Sequence, residues 1–534
     1  MKKKTALLLL VCILVFAYEL SAKSKILFIP LDDRASSWQF PQKLGEIGDS
    51  EVVIPPNEFL GHFFDPGNSD AILNWIKTQD LNEFDAAVVS IDMLAYGGLV
   101  ASRANRVTLD QAIERLAIFK EIRKSAPKLK IYAQNVIMRL ALTYDNENSS
   151  YYNKFTEWAT LGGAHAIDSK DRLLLLEKNI PEKAIHDYRS ARVRNFKVNQ
   201  LVMEFVKEGV IDYLILSQDD ATPEGLHVID RNRLQEDIKK SGLKDKVVIQ
   251  PGADEVAMLL LTRALNKVHD QETSVKVIYC SLEKSETVMP FEDISLNQTV
   301  SRHIISAGAK EVDQEAKADV LFYVFSSRDR EGRAVSFAKE IENSIKQGRK
   351  VIVADVDPIG NIQGGDETFT TELINRNLFP ALSGYASWNT AGNTIGTALP
   401  HGLIFTLAEK KLMKSQRITQ QILKAQDWFT IHRVMDDFYY HNLFRKSANA
   451  YAKQEGASST ILSDNAKEKV EQYTSKLMNK SFDKFTSWYF VNSKRTALAN
   501  VTCVAKGKLL FNIPWNRTFE ATIDFDLTCQ DLKR

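Results

Sequence analysis

Between residues 25 and 387 the chain returns to one pattern. A short run of branched and aromatic apolar residues breaks into polar or glycine-containing residues, and a stretch with helical spacing follows. The runs are 25–31, 51–54, 85–90, 130–135, 213–216, 246–250, 275–280, 318–325, 350–355 and 382–387. They are too short for membrane spans and too uniformly apolar for strands with one wet face, so they read as strands buried on both sides. The repetition therefore commits the chain to an α/β fold of βα units around a largely parallel sheet. Periodicity alone leaves the closure open: a barrel-like (β/α) arrangement, an open doubly wound sheet, or two successive sheets divided near Gln271.

At 534 residues, 44% of them hydrophobic, the chain exceeds one average domain. The expected division is a signal peptide over 1–22, an N-terminal α/β region over 23–270 that carries the main site, a second α/β region over 271–405, and a helical region with terminal strands over 406–534. Met1-Lys-Lys-Lys4, the apolar run 6–18 and the small-residue exit at Ala22 have the make-up of a secretory signal cleaved near Ala22, which points to the periplasm or the exterior. That run is short for a bilayer, and no stable membrane span is expected after its removal. Cys503 and Cys529 flank strand-like runs near the C-terminus; a bridge between them is one reading and free thiols the other, while Cys280 reads as a buried thiol. Lysine plus arginine (69) nearly balance aspartate plus glutamate (68), so no global field argues for nucleic acid or another polyanion.

What the apolar runs end in carries the functional argument. They close on Asp32, Asp33 and Arg34; Asp92 and Tyr96; Asn135 and Arg139; Gln218, Asp219 and Asp220; Asp254 and Glu255; Asp355 and Asp357; and Trp388, Asn389 and Asn393. In a parallel sheet all these loops share one face, the edge at which α/β proteins bind ligands. Acids and amides with aromatic faces suit a neutral polyhydroxylated ligand, a carbohydrate. Two adjacent carboxylates forced into one pocket are expected to differ in protonation, with Asp220 as general acid and Asp219 as the anion that orients substrate. Asp254 and Glu255 stand in reserve as nucleophile or base, and Glu255 has a plainer reading as the start of the next helix. Asp32, Asp33, Arg34, Asp92, Tyr96, Arg103, Asn135, Arg139, Gln218, His227, Trp388, Asn389 and Asn393 are the expected substrate-binding set. The competing structural reading of Asp219-Asp220 is a helix cap.

Other chemistries are less well served. Tyr96-Gly97-Gly98 lacks the frame of a nucleotide loop, and its glycines read as sites of close backbone approach. There is no Gly-x-Ser-x-Gly elbow, and His62, His165, His227 and His401 are scattered without zinc spacing. No cofactor is expected. A divalent ion held by Asp32, Asp33, Asp219 and Asp220 stays open, because oxygen ligands from separate strands leave no spacing signature.

Several blocks resemble the bacterial domain-of-unknown-function family numbered 4127: Pro30-Leu-Asp-Asp-Arg34, 90–103, 218–227, Gly252-Ala-Asp-Glu255, 388–396 and Pro514-Trp-Asn-Arg517. Ala35 stands where the family usually continues with proline, and the loop 357–366 departs from its asparagine-glycine-aspartate block. The family name implies no activity. A looser chemical likeness is to retaining hexosaminidases, whose Asp-Asp pair works with the substrate's own acetamido group. The expectation is thus an exported glycoside hydrolase. The alternatives are a metal-dependent hydrolase and a non-catalytic carbohydrate-binding protein.

Overall fold

The computed structural model describes residues 23–163, 170–328, 332–360, 363–493 and 501–531, so the signal-like stretch 1–22 lies outside the described residues. Two open, wholly parallel sheets carry the fold. The first contains β1 (Ser24–Ile29), β2 (Ser50–Val53), β3 (Ala86–Ser90), β4 (Lys130–Ile137), β5 (Tyr213–Gln218) and β6 (Val247–Pro251), in the order β2-β1-β3-β4-β5-β6. The second contains β7 (Ser274–Tyr279), β8 (Lys310–Glu311), β9 (Val320–Phe325), β10 (Val351–Asp355) and β11 (Gly384–Ala386), in the order β11-β10-β9-β7-β8. The barrel is thereby excluded, and the division between sheets falls where Gln271 lies.

Counted from its own first strand, each sheet begins 2-1-3-4-5. The chain therefore uses one doubly wound topology twice, although the sequence carries no detectable repeat. In each sheet the first strand sits between the second and third, which makes its carboxyl end a topological switch point.

The alternation of β1 shows why these runs become buried strands. Ile26 and Phe28 face one core while Leu27 and Ile29 face another, the two-residue period of a strand covered on both sides. The first of these cores does not stop at the sheet. It continues through Leu260 and Leu261 of the helix Val256–Val268 to Leu321 and Phe325 of β9, and on to Phe429 and Phe525 in the C-terminal region. Both sheets and the helical region thus share one apolar interior.

The last part of the chain is helical, with long helices Gln416–Arg433 and Asp464–Asn492, and closes in the antiparallel hairpin of β12 (Val501–Asn512) and β13 (Thr522–Asp531). Cys503 and Cys529 are directly paired across it and form a disulfide; Cys280 is a free, half-buried thiol. Gln39 and Trp428 each donate a side-chain N–H to a β13 carbonyl, those of Ile523 and Phe525, both at 3.0 Å. Among the described residues, no helix is long and apolar enough to cross a membrane.

Candidate functional site

Three parts of the chain meet over the carboxyl edge of the first sheet. Arg34 follows β1, Arg103 ends the short helix after β3, Arg139 follows β4, Asp219 and Asp220 follow β5, and Asp254 follows β6. The second sheet adds Asn389 beyond β11 and Gln363 beyond β10, and the hairpin turn adds Trp515, Arg517 and Phe519. These side chains, with Phe291 and Thr143, enclose a cavity of about 280 Å³. A smaller recess of about 20 Å³, shared with Asp219, Asp220 and Asp254, runs inward to Thr390 and Asn393. A larger hollow of about 360 Å³ lies at the opposite edge, between residues 76–82 and 118–125, and gathers no comparable set of converging charges.

The backbone around the cavity is unusual. Asp220 (φ 41°), Phe291 (φ 65°), Gln363 (φ 57°) and Asn389 (φ 56°) all adopt the left-handed conformation that non-glycine residues avoid, and all four line the cavity. Strain of this kind persists only where the surroundings impose it, and it gathers at functional sites.

Electrostatics build the cavity wall from ion pairs. Arg34 spans two carboxylates: its Nη1 and Nη2 donate to Asp254 at 3.0 and 2.6 Å, and its Nε and Nη2 donate to Asp32 at 3.1 and 2.6 Å. Glu520 lies 3.6 Å from the same guanidinium, which also stacks 4.4 Å above the Trp515 ring. Arg34 thus bridges Asp32 and Asp254, while Glu520 takes both of its hydrogen bonds from Arg517. Arg103 donates to Asp219 at 2.5 Å and to Thr143 Oγ1 at 2.8 Å, and Arg139 donates to Asp220 at 2.5 Å.

Asp219 and Asp220 both border the cavity and its recess, and each is paired with an arginine of its own, Arg103 and Arg139. Protonation is set in opposite directions at Asp219 and Asp254. Burial resists ionisation of Asp219, but the guanidiniums of Arg103 and Arg139 outweigh it and hold that carboxyl below its ordinary range. Burial pushes Asp254 up to about 6, with Arg34 opposing and the nearby Asp32 and Asp219 charges reinforcing the shift. The helix-cap reading also fails, since the helix Leu226–Lys240 begins at Gly225 with no side-chain cap.

Of the residues nominated from sequence, Arg34, Arg103, Arg139, Asp219, Asp220, Asp254, Asn389 and Asn393 border the cavity or its recess. The others stand behind it. Asp32 backs Arg34. Asp33 accepts from Trp515 Nε1 at 2.8 Å and lies 2.6 Å from His62 Nδ1, tying the hairpin turn to the end of β1. Asp92 is fully buried and accepts from Asn135 Nδ2 at 3.1 Å and Val136 N at 2.8 Å, while Asn135 in turn accepts from Asn199. Tyr96 packs under the Arg194 guanidinium, Gln218 donates to Asp293, His227 bonds Thr222, and Trp388 donates to Thr397. Glu255 precedes the first turn of the helix Val256–Val268, fully buried, and accepts from Asn393 Nδ2 at 2.7 Å. These residues hold the wall in position, the usual fate of a polar group at a crowded strand end.

Gly97 (φ 90°) does allow close approach, since a Cβ there would lie 2.6 Å from the Gly67 carbonyl. Leu99, Val100, Thr143, Phe291, Gln363, Trp515, Arg517 and Phe519 line the cavity beyond the expected set. Trp515 and Arg517 carry a signal in the block Pro514-Trp-Asn-Arg517, and Leu99 and Val100 in the block 90–103; the rest reach the cavity from loops that no period marks. Among the described residues, no group of three or more His, Cys, Asp or Glu is placed to hold a metal ion. Each of the four aspartates considered as oxygen ligands already accepts from a donor of its own.

No curated protein matches the chain. Among solved structures, the chain is compared with the carboxyl transferase domain of Rhizobium etli pyruvate carboxylase, solved with 3-bromopyruvate, at 10% identity and a TM-score of 0.14. The comparison covers 86% of this chain and 61% of that one, less than two thirds of its length, and a likeness so slight carries no argument. The match to a family model is of another order: it runs over residues 26–524, through both sheets and the helical region and into the hairpin whose turn borders the cavity, and the chain belongs to the family described as Protein of unknown function (DUF4127).

Proposed function

We propose that the protein is an exported glycoside hydrolase that cleaves an oligosaccharide or glycan-derived substrate by carboxylate acid/base chemistry. The observation that carries the reading is the pair Asp254 and Asp219. Two carboxyls border one cavity, one raised to about 6 by burial and the other held anionic by two arginines. Groups whose surroundings push their protonation apart in this way divide the roles of acid and anion between them.

The proton-transfer role accordingly moves from Asp220 to Asp254. Burial and the neighbouring charges of Asp32 and Asp219 outweigh Arg34 at Asp254, so this carboxyl, at the cavity wall, holds a proton into the weakly acidic range and can pass it to a leaving oxygen. Asp219 stays negative and stabilises positive charge as it develops on the sugar ring. Asp220, Asn389 and Gln363 bond hydroxyls, and the exposed Phe291, with Phe519, presents a ring face to C–H surfaces. Export is supported by the composition of residues 1–22 and by the Cys503–Cys529 disulfide, which suits an oxidising compartment.

The test is a panel of aryl glycosides and natural glycans, assayed with and without chelator, on the wild type and Asp254→Asn. General acid catalysis is worth about 10²–10⁴ in rate, so the folded variant should lose on that order while retaining binding. Product formation unaffected by Asp254→Asn overturns the assignment. Activity abolished by chelator favours a metal-dependent hydrolase, and sugar binding without any product favours a binding protein.

A further inference from the structure

A second cavity, of about 310 Å³, adjoins the first and shares Val100, Arg103 and Thr143 with it. Its far wall is made by the half-buried Phe64, Leu142 and Tyr151 and by Ala184, near the start of the helix Glu182–Lys207. Asp145 and Lys183 stand at its border. Each chamber lies near the lower limit of about 300 Å³ for a small-molecule site, room for one compact unit rather than a chain. The partition between them is fixed: Arg103 is held by Thr143 on one side and Asp219 on the other, with its side chain 9% exposed. One residue therefore touches both the anion of the proposed reaction site and the entrance to the neighbouring chamber.

We propose that this second cavity is a binding subsite for the next sugar unit of the substrate, so that the protein takes a glycan of at least two units laid across the Arg103–Thr143 partition. The inference rests on the carbohydrate reading above. Its aromatic and aliphatic wall suits the C–H face of a ring, and the charged border suits hydroxyls, the same division of labour as in the first chamber. The shared wall is what makes the occupant a continuation of the same molecule rather than a separate ligand.

The test is calorimetric titration with three matched pairs: glucose and cellobiose, N-acetylglucosamine and N,N′-diacetylchitobiose, and galacturonic and digalacturonic acid. Proteins are the wild type, Tyr151→Ala and Ala184→Trp, each checked for folding by thermal unfolding. In at least one pair the disaccharide should bind the wild type at least about tenfold more tightly than its monosaccharide, a well-formed extra contact surface being worth that much. Tyr151→Ala should shrink the gain, and Ala184→Trp, which fills the cavity from a regular helix, should abolish it while leaving monosaccharide affinity within about twofold. Equal binding of both members of every pair overturns the subsite and leaves the carbohydrate reading standing. A gain that survives in folded Ala184→Trp also overturns it. If no mono- or disaccharide binds at all, the carbohydrate reading falls and takes the subsite with it.

Discussion

Asp92 illustrates how a strand-end acid can be removed from the ligand face and still shape it. Its Oδ2 accepts two N–H donors, while its Oδ1 is buried without a partner, and burial raises the carboxyl to about 7. A proton on that orphaned oxygen explains both facts. Because the folded value lies above the unfolded one of 3.8, the stabilisation is fully present below 3.8 and is lost as pH rises through about 7. Asp92→Asn removes the titration but not the shape. The expected outcome is that urea unfolding of the wild type weakens relative to Asp92→Asn between pH 5 and pH 8; a constant difference between the two proteins across that range contradicts the protonated state. The sequence places Asp92 and Asp254 alike at strand ends, the first among the expected substrate-binding residues and the second in reserve as nucleophile or base. What separates them is depth: one lies under the end of β3 and the other at a cavity wall, and no local pattern reports depth. The arginines that partner Asp219 and Asp220 were named individually, but their pairing spans 116 and 81 residues and depends on how β3, β4 and β5 lie side by side.

At the level of elements, the strands were legible because burial on both faces leaves runs with hardly any polar interruption, as in Val88-Val89 of β3 or the whole of β9. Their polar ends were legible for the same reason, as abrupt changes of composition. The use of one topology twice was not, since strand order is set by which crossovers pack together and leaves no mark on spacing. The C-terminal hairpin was read only as terminal strands, yet its turn supplies Trp515, Arg517 and Phe519 to the cavity. Its disulfide closes a segment with sequence separation 26, for which chain entropy suggests about 3–4 kcal/mol. Replacing both Cys503 and Cys529 by serine should lower stability by roughly that amount in denaturant unfolding. If the proposed glycoside hydrolysis is observed, its rate should fall too, because the wall formed by the turn loses its support. Full stability without the bridge counts against this account.

For the whole molecule, the decisive fact is the apolar interior common to both sheets. The helix Val256–Val268 is buried along nearly its whole length, with Leu260 and Leu261 in the core shared by β1 and β9. A fragment ending at Gln271 keeps the first sheet but exposes Ile26, Phe28 and that helix to water. Such a fragment is expected to aggregate or stay loosely packed, whereas the whole chain is expected to unfold in one transition. Gel filtration and near-ultraviolet circular dichroism check this, and a monomeric fragment with fixed aromatic signals contradicts it. The division near Gln271 marks the boundary of a sheet, and the fragment experiment decides whether it is also the boundary of a folding unit.

The bond from Trp515 to Asp33 joins the two ends of the described chain at the cavity. Its consequence is one of timing. Both sheets are synthesised before any complete cavity exists, because the wall that Trp515 and its neighbours form is the last part to be made. A nascent chain thus lacks a finished site, and the cavity is complete only once the final hairpin has been made and has folded back onto the end of β1.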